Sequence, residues 1–436
     1  MLNRILFTSL LSIVFAFGYS QKMNVEKLDS LFQILEAKDK FMGSIPLSHK
    51  GKIIYSRSIG QADFETNITA STAAKYRIGS VSKMFTLILK AIEGKKMSLK
   101  QTLATYYPTI ENATKITIKN LLNHRSGIHN FTNDPDYVQY NTKPQSESQM
   151  IAIMEKNKSA FEPNSKADYS NSNDVLLINI PQKIYKKPYA VLINDKITKP
   201  LGLKNSYVGG KINLQNNEAN SCKVLWQWIK ETETDMSIPM GAGAIVSKPT
   251  DLTHFIAKLF ALKIINESSL KLMTAIQDKF GMGIYQILFD NKKGFGHEGA
   301  IDGFSSMLFY FPGDKLAVAL TSNGKNYDND DIIMATLSSF CNKPFAIPTF
   351  KKTELKTEDL DPYFGIYGNA SFPLKITVTK VKTLIAQATG KSPIALDPTV
   401  KDTFEFATSG LIIQFNPKEK QLILKQGGGQ TILQKI

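Results

Sequence analysis

Cysteine is nearly absent: Cys222 and Cys341 are the only two in 436 residues. Two in so long a chain exclude a disulfide framework, and we expect them to be unpaired, small and partly buried. Histidine is scarce as well. Its five copies fall at no metal-ligand spacing, and "HEGAI" (297–301) is not H-E-x-x-H. There is no G-x-S-x-G elbow, which argues against an α/β-hydrolase. With no phosphate-cradling P-loop and no G-x-G-x-x-G after a strand, we expect no cofactor. Acidic side chains are outnumbered, 38 Asp and Glu against 53 Lys and Arg, for a net charge of +15. Such an excess raises nucleic acid as a partner. Here the lysines are scattered along the chain and the protein reads as exported, so we expect no nucleic acid. No internal repeat or low-complexity run is present.

No apolar run reaches membrane-spanning length. "ILFTSLLSIVFAF" (5–17) falls short of the roughly 18 residues a helical span needs. Arg4 precedes it, and "GYSQ" follows, with Gly18 and Ser20 at the −3 and −1 positions of a signal-peptidase site. We therefore expect a signal peptide over residues 1–20, cleavage after Ser20, and a periplasmic or secreted protein without a stable membrane span.

What is present is globular. Hydrophobic residues make up 42% and charged residues 21% of a chain long enough for two domains. "VEKLDSLFQILEAKD" (25–39) puts Val25, Leu28, Leu31, Phe32 and Leu35 on one helical face. Two strands should meet at a turn at Lys50-Gly51. A helix should run from Gly79 and Ser80 to Gly94. Strand-like runs recur at 283–290, 304–311 and 316–321, which fits an antiparallel sheet made from both ends of a domain, with a helical region inserted. The proline-rich, charged stretch at 342–360 reads as a linker. Beyond it, short alternating runs from "LKITVT" to "QTILQK" read as a small all-β barrel or sandwich. The expected domains are 21–345 and 346–436.

Three short patterns carry chemistry. In "RIGSVSKMFTLILKAIEG" (77–94), Ser80 precedes Lys83 by three residues, so a helix makes them neighbours. A hydroxyl needs a base to become a nucleophile, and a desolvated lysine can act as one. The helix N-terminus adds N–H donors for a developing oxyanion. In "DYSNSND" (168–174), Tyr169 can relay a proton, pulled towards phenolate by a nearby ammonium. Asn171 can orient Lys83 or bond a substrate amide. In "GFGHEGAIDGFSSMLFYFP" (294–312), His297 and Gly299 precede a strand, and the Ala300 N–H can join that of Ser80 in an oxyanion hole. Ser268 and Lys271 repeat the first spacing and read as a solvated helix face; Tyr367 and Asn369 repeat the second and read as turn chemistry.

Taken in order, S-x-x-K, Y-x-N and H-x-G resemble the class C β-lactamase-like serine hydrolases. "LLNHRSGI" (121–128), "KPLGLKNS" (199–206) and "MGAGAIVSKPTDLTHF" (240–255) look like further segments of that family. The resemblance covers residues 25–340. It implies an α/β β-lactamase/penicillin-binding-protein-like fold, an antiparallel sheet flanked by helices with a helical region. It implies Ser80 as nucleophile, Lys83 and Tyr169 as acid/base pair, and His297 where relatives carry the lysine of K-T-G. Asn171, Gly299 and Ala300 would meet the substrate, a small ester or amide or a cell-wall peptide.

Four departures stand out. His297 replaces an ammonium with an imidazole mostly neutral at pH 7, which weakens recognition of a substrate carboxylate. Asn164 stands where glycine is usual after Pro163, a place where φ > 0 suits Asn. Pro181 falls inside an expected helix. Asp174, with Lys186 and Lys187, replaces aromatic or small residues. These last changes leave a noncatalytic binding protein as the rival expectation.

Overall fold

The computed structural model describes residues 23–85, 87–225, 227–350, 355–391 and 393–436, so the expected signal peptide lies outside it. Among the described residues no helix is long and apolar enough to cross a membrane.

The first helix, Val25–Ala37, buries Leu28, Leu31, Phe32 and Leu35. Each such burial stabilises by about 1.5–3 kcal/mol. Val25, at the first position, stays 37% exposed because it lies at the helix end. The strands Phe41–His49 and Lys52–Ile59 pair antiparallel. Lys50 and Gly51 join them at φ 51° and 79°. Two successive positive φ values match the twist of a two-residue hairpin.

A six-stranded sheet forms the centre. Its order is Tyr285–Phe289, Lys292–Ile301, Phe304–Phe311, Leu316–Lys325, Phe41–His49, Lys52–Ile59. The ends of the domain therefore meet inside one sheet, where Leu316–Lys325 pairs with Phe41–His49. Alternation divides its side chains. Phe309, Phe311, Val318 and Leu320 pack with helices Val25–Ala37 and Asn329–Phe340. Leu308, Tyr310, Ala317 and Ala319 pack with Leu252, Phe255 and Leu259 of the helix Pro249–Phe260. A separate helical core gathers Leu121, Phe131, Met150, Val175, Leu176 and Ile180.

The expected helix over 79–94 is two pieces, a 3₁₀ helix Gly79–Phe85 followed by an α-helix Leu87–Glu93. The strand Lys292–Ile301 was hidden in sequence by Gly294, Gly296 and Gly299, weak strand formers. Their absence of a side chain has a packing reason: a Cβ at Gly296 would overlap the Leu308 carbonyl on the next strand.

The C-terminal segment closes into an eight-stranded antiparallel barrel from Gly365–Asn369 to Gly429–Lys435. Tyr363, Tyr367, Leu396, Phe404, Phe415 and Leu422 fill it. Tyr367 is thus core rather than turn, while the Asn369 side chain accepts from the N–H groups of Ser371 and Phe372 and does form a turn. Phe364 remains 46% exposed. The barrel touches the larger domain where Lys40 Nζ donates to Asp397 Oδ2 at 2.5 Å. Cys222 and Cys341 are both free.

Candidate active site

Gly79 sits at φ 47°, a conformation that favours glycine, just ahead of Ser80. The 3₁₀ turn that follows nearly eclipses residues i and i+3. Lys83 is consequently drawn over Ser80, and its Nζ lies 2.9 Å from Ser80 Oγ. Tyr169 arrives from the loop before the helix Asn171–Tyr185 and donates its Oη–H to the same Oγ at 2.8 Å. Ser80 Oγ is held between an amine and a phenol.

The rest of the lysine's shell is complete. Nζ donates to Asn171 Oδ1 at 2.9 Å and to the Ala242 carbonyl at 2.8 Å. Asn171 is itself fixed, its N–H donating to Asn130 Oδ1 and its Nδ2 to Thr132 Oγ1. Both ends of that carboxamide are engaged, so it orients Lys83. The Lys83 side chain has no exposed surface. Burial lowers its pKa to about 8, with the nearby charge of Asp174 opposing.

Tyr169 behaves otherwise than expected. Burial, with Asp174 adding to it, pushes its phenol well above the ordinary value, outweighing any pull of the lysine towards phenolate. It is a neutral hydrogen-bonding group. Its ring rests against His124 at 4.5 Å and Phe280 at 6.2 Å between centroids.

His297 lies in the strand Lys292–Ile301 and stacks on Tyr285 at 4.2 Å. Burial lowers its pKa to about 3. A neutral ring bonds the Glu298 carbonyl, so Nδ1 carries the hydrogen and donates. Tyr285–Phe289 pairs with this strand only as far as Gly296. From His297 onward that edge is unpaired by Tyr285–Phe289 and borders the Ser80 turn. A Cβ at Gly79 would stand 2.7 Å from the Ala300 nitrogen, and one at Gly299 3.0 Å from the Ser80 nitrogen. The two backbone N–H groups expected to share an oxyanion are thus neighbours.

All seven sequence-predicted positions, Ser80, Lys83, Tyr169, Asn171, His297, Gly299 and Ala300, converge on this one place. The helix Asn171–Tyr185 runs through Pro181 and ends at Lys186, which takes φ 50°. Proline there deprives the Leu177 carbonyl of its N–H partner and crowds it with the ring. Asn164 takes φ 69°, as its place after Pro163 suggested. Sequence reasoning missed the Ala242 carbonyl, which no residue type announces. It also missed Asp174, whose spacing of three from Asn171 was the available signal. Among the described residues no group of three or more His, Cys, Asp or Glu side chains is placed to hold a metal ion.

The Beta-lactamase family profile matches residues 39–338. Penicillin-binding protein 4* of Bacillus subtilis (strain 168) is 23% identical over 450 residues, covering 94% of this chain and 98% of its own. Teichoic acid D-alanine hydrolase of Staphylococcus aureus is 25% identical over 322 residues, 70% of this chain and 75% of its own. Among solved structures, D-amino acid amidase from Ochrobactrum anthropi SV3, complexed with L-phenylalanine, superposes with a TM-score of 0.66 at 21% identity, over 73% of this chain and 99% of that one.

Proposed function

The chain belongs to the beta-lactamase family and is a serine hydrolase; from that premise we propose that Ser80 is its nucleophile and that it hydrolyses D-aminoacyl esters or amides, D-alanyl ones included, through an acyl-enzyme. The observation that carries this reading is the double hold on Ser80 Oγ, Lys83 Nζ at 2.9 Å and Tyr169 Oη at 2.8 Å.

The steps follow from those contacts. Neutral Lys83 takes the Ser80 proton as Oγ bonds to the acyl carbon. The carbonyl oxygen becomes an oxyanion facing the N–H groups of Ser80 and Ala300. On collapse the bond to the alcohol or amine breaks. Tyr169 gives the leaving group its proton and regains one from Lys83. Water then bonds to the acyl carbon as Lys83 accepts its proton; the acyl–Oγ bond breaks, that proton returns to Ser80 Oγ, and the acid is released.

The substrate class rests on His297 and on the relatives' substrates. A neutral imidazole stands where a K-T-G relative would offer an ammonium, so a substrate carboxylate gains no charge partner there. That favours acyl donors without an obligatory carboxylate over D-alanyl-D-alanine peptides. We propose export as well, on the apolar run at 5–17 and the Gly18–Ser20 pair; a mature N-terminus at Gln21 checks it.

The test is intact-protein mass after exposure to a fluorophosphonate, an activated ester, a D-alanyl ester and a penicillin, with Ser80→Ala alongside. A single adduct lost in Ser80→Ala, and turnover of the D-alanyl ester ahead of the penicillin, is the expected result. An adduct that persists in Ser80→Ala overturns the assignment of the nucleophile.

A further inference from the structure

Asp174 is an ionisable side chain beside Lys83 that the steps above leave unused. It follows Asn171 by three residues, and the helix turns both to one face. Asn171 Oδ1 meets Lys83 Nζ at 2.9 Å, and Asp174 Oδ2 lies 3.8 Å from the same nitrogen. The Asp174 side chain is 11% exposed, and its Oδ2 is buried without a hydrogen-bond partner. A buried carboxylate is tolerated when an opposite charge compensates it. Lys83 is its ion-pair partner among the described residues.

The surroundings leave this pair to itself. Tyr169 from the preceding loop, Tyr285 and His297 from the neighbouring strands, His124 behind Tyr169, and Tyr189 from the next helix are the other titratable groups around it. All are neutral at pH 7, the tyrosines raised and the histidines lowered by burial. From the remaining side, the turn Met240–Ala242 closes over the pair, with Gly241 packed where a Cβ would stand 2.9 Å from the Asp174 carbonyl.

Lys83 itself shows what one proton decides. It has three partners in hydrogen-bond range: Ser80 Oγ, Asn171 Oδ1 and the Ala242 carbonyl. The last two can only accept. An ammonium has three hydrogens and donates to all three. A neutral amine has two, gives them to Asn171 and Ala242, and turns its lone pair on Ser80. The switch from holding Ser80 to activating it needs the loss of one proton and no change of partner.

We propose that Asp174 is the counter-ion that retains this proton, a positioning residue that fixes the pH at which Ser80 acquires its base. It acts through Lys83 and touches neither Ser80 nor substrate. Burial raises the Asp174 carboxyl to about 7, with the charge of Lys83 opposing. Above that pH it is a carboxylate, the amine of Lys83 is held as ammonium against it, and Ser80 rests; below it the counter-charge is gone. The inference rests on the reading of Lys83 as the base.

The test is the rate of fluorophosphonate labelling of Ser80 from pH 5 to 10, in wild type and Asp174→Asn. Asparagine keeps the shape and removes the charge. An opposite charge at this distance is worth about 1–3 pH units. The half-maximal pH should therefore move down by up to that much in Asp174→Asn, with the two profiles apart above about pH 7, where the carboxyl is ionised, and converging below it. A profile superimposable on wild type overturns the proposal. If wild type shows no Ser80-dependent labelling at any pH, the nucleophile reading has failed first and takes this one with it.

A second measurement does not need Asp174→Asn to fold. In Lys83→Met the carboxyl is left buried and unpaired, so its folded pKa stands above the unfolded one. Its stabilising neutral form is then lost as pH rises. The urea midpoint of Lys83→Met should fall between pH 5 and 8 relative to Lys83→Met/Asp174→Asn. Parallel midpoints overturn the pairing.

Discussion

Gly299 and Ser80 stand so close that a Cβ added to the glycine would lie 3.0 Å from the serine nitrogen. The same added atom would press into the Ile78 carbonyl and the Ser306 hydroxyl. The strand Lys292–Ile301 can therefore approach the Ser80 turn only with glycine at this position.

Gly299→Ala should push the two oxyanion donors apart. Losing one such donor costs about 100- to 1,000-fold in kcat. We expect a kcat loss of that order on an activated ester, with a folded protein by circular dichroism. Gly313→Ala is the control, since a Cβ there meets nothing within 4 Å. Equal activity of the two variants would remove Gly299 from the oxyanion site.

The pH profile should carry a single acid limb. Lys83 is lowered by burial to about 8, and a general base works only when unprotonated. The rate should climb tenfold per pH unit below about 8 and level off above it. His297, held down to about 3, should add no inflection near the usual histidine value. Tyr169, raised by burial, should add no alkaline limb near the usual tyrosine value. A rate flat from pH 6 to 9 would strip Lys83 of the role of base.

Stability should depend on Arg77, three residues before Ser80. Its guanidinium is 2% exposed and bonds Asp302 at 2.8 Å, Glu233 at 3.0 Å, and the carbonyls of Thr234 and Gly210. Asp302 is nearly as buried, at 4%. Arg77→Met leaves that carboxylate with only Thr234 to compensate it. Removing one partner of a buried pair costs about 3–5 kcal/mol. Urea unfolding at pH 7 should lose that much, and a loss under 1 kcal/mol would mean that the pair is not desolvated.

The reactive side chains could be read in the sequence because their chemistry is written in residue type and order: Ser80 with Lys83, Tyr169 with Asn171, His297 with Gly299. What escaped was set by the backbone or by tertiary packing. The Ala242 carbonyl has no side-chain signature. The strand Lys292–Ile301 was not recognised because close packing demanded glycine at Gly296 and Gly299. In the barrel, Ile394–Val400 was obscured by Pro398, which pairs opposite Phe404 beside an irregularity in the register. Asp174 looked like a fault in an apolar helix until its distance to Lys83 was known.

Tyr169 offers the most direct division between packing and chemistry. Its ring is wedged between His124 and Phe280, while its Oη–H alone reaches Ser80. Tyr169→Phe keeps every ring contact and deletes the hydroxyl's bonds to Ser80 and Tyr285. A general acid–base group is worth about 100- to 10,000-fold. We therefore expect kcat to fall within that range with thermal stability nearly unchanged. The loss should be greatest for substrates with poor leaving groups, because an amide nitrogen must be protonated as its bond breaks and an activated phenol ester need not be. Measuring Tyr169→Phe on a matched amide and p-nitrophenyl ester separates the cases. A steeper loss on the amide assigns Tyr169 to leaving-group protonation. Equal losses would confine it to orienting Ser80, and no loss on either would leave it a packing residue.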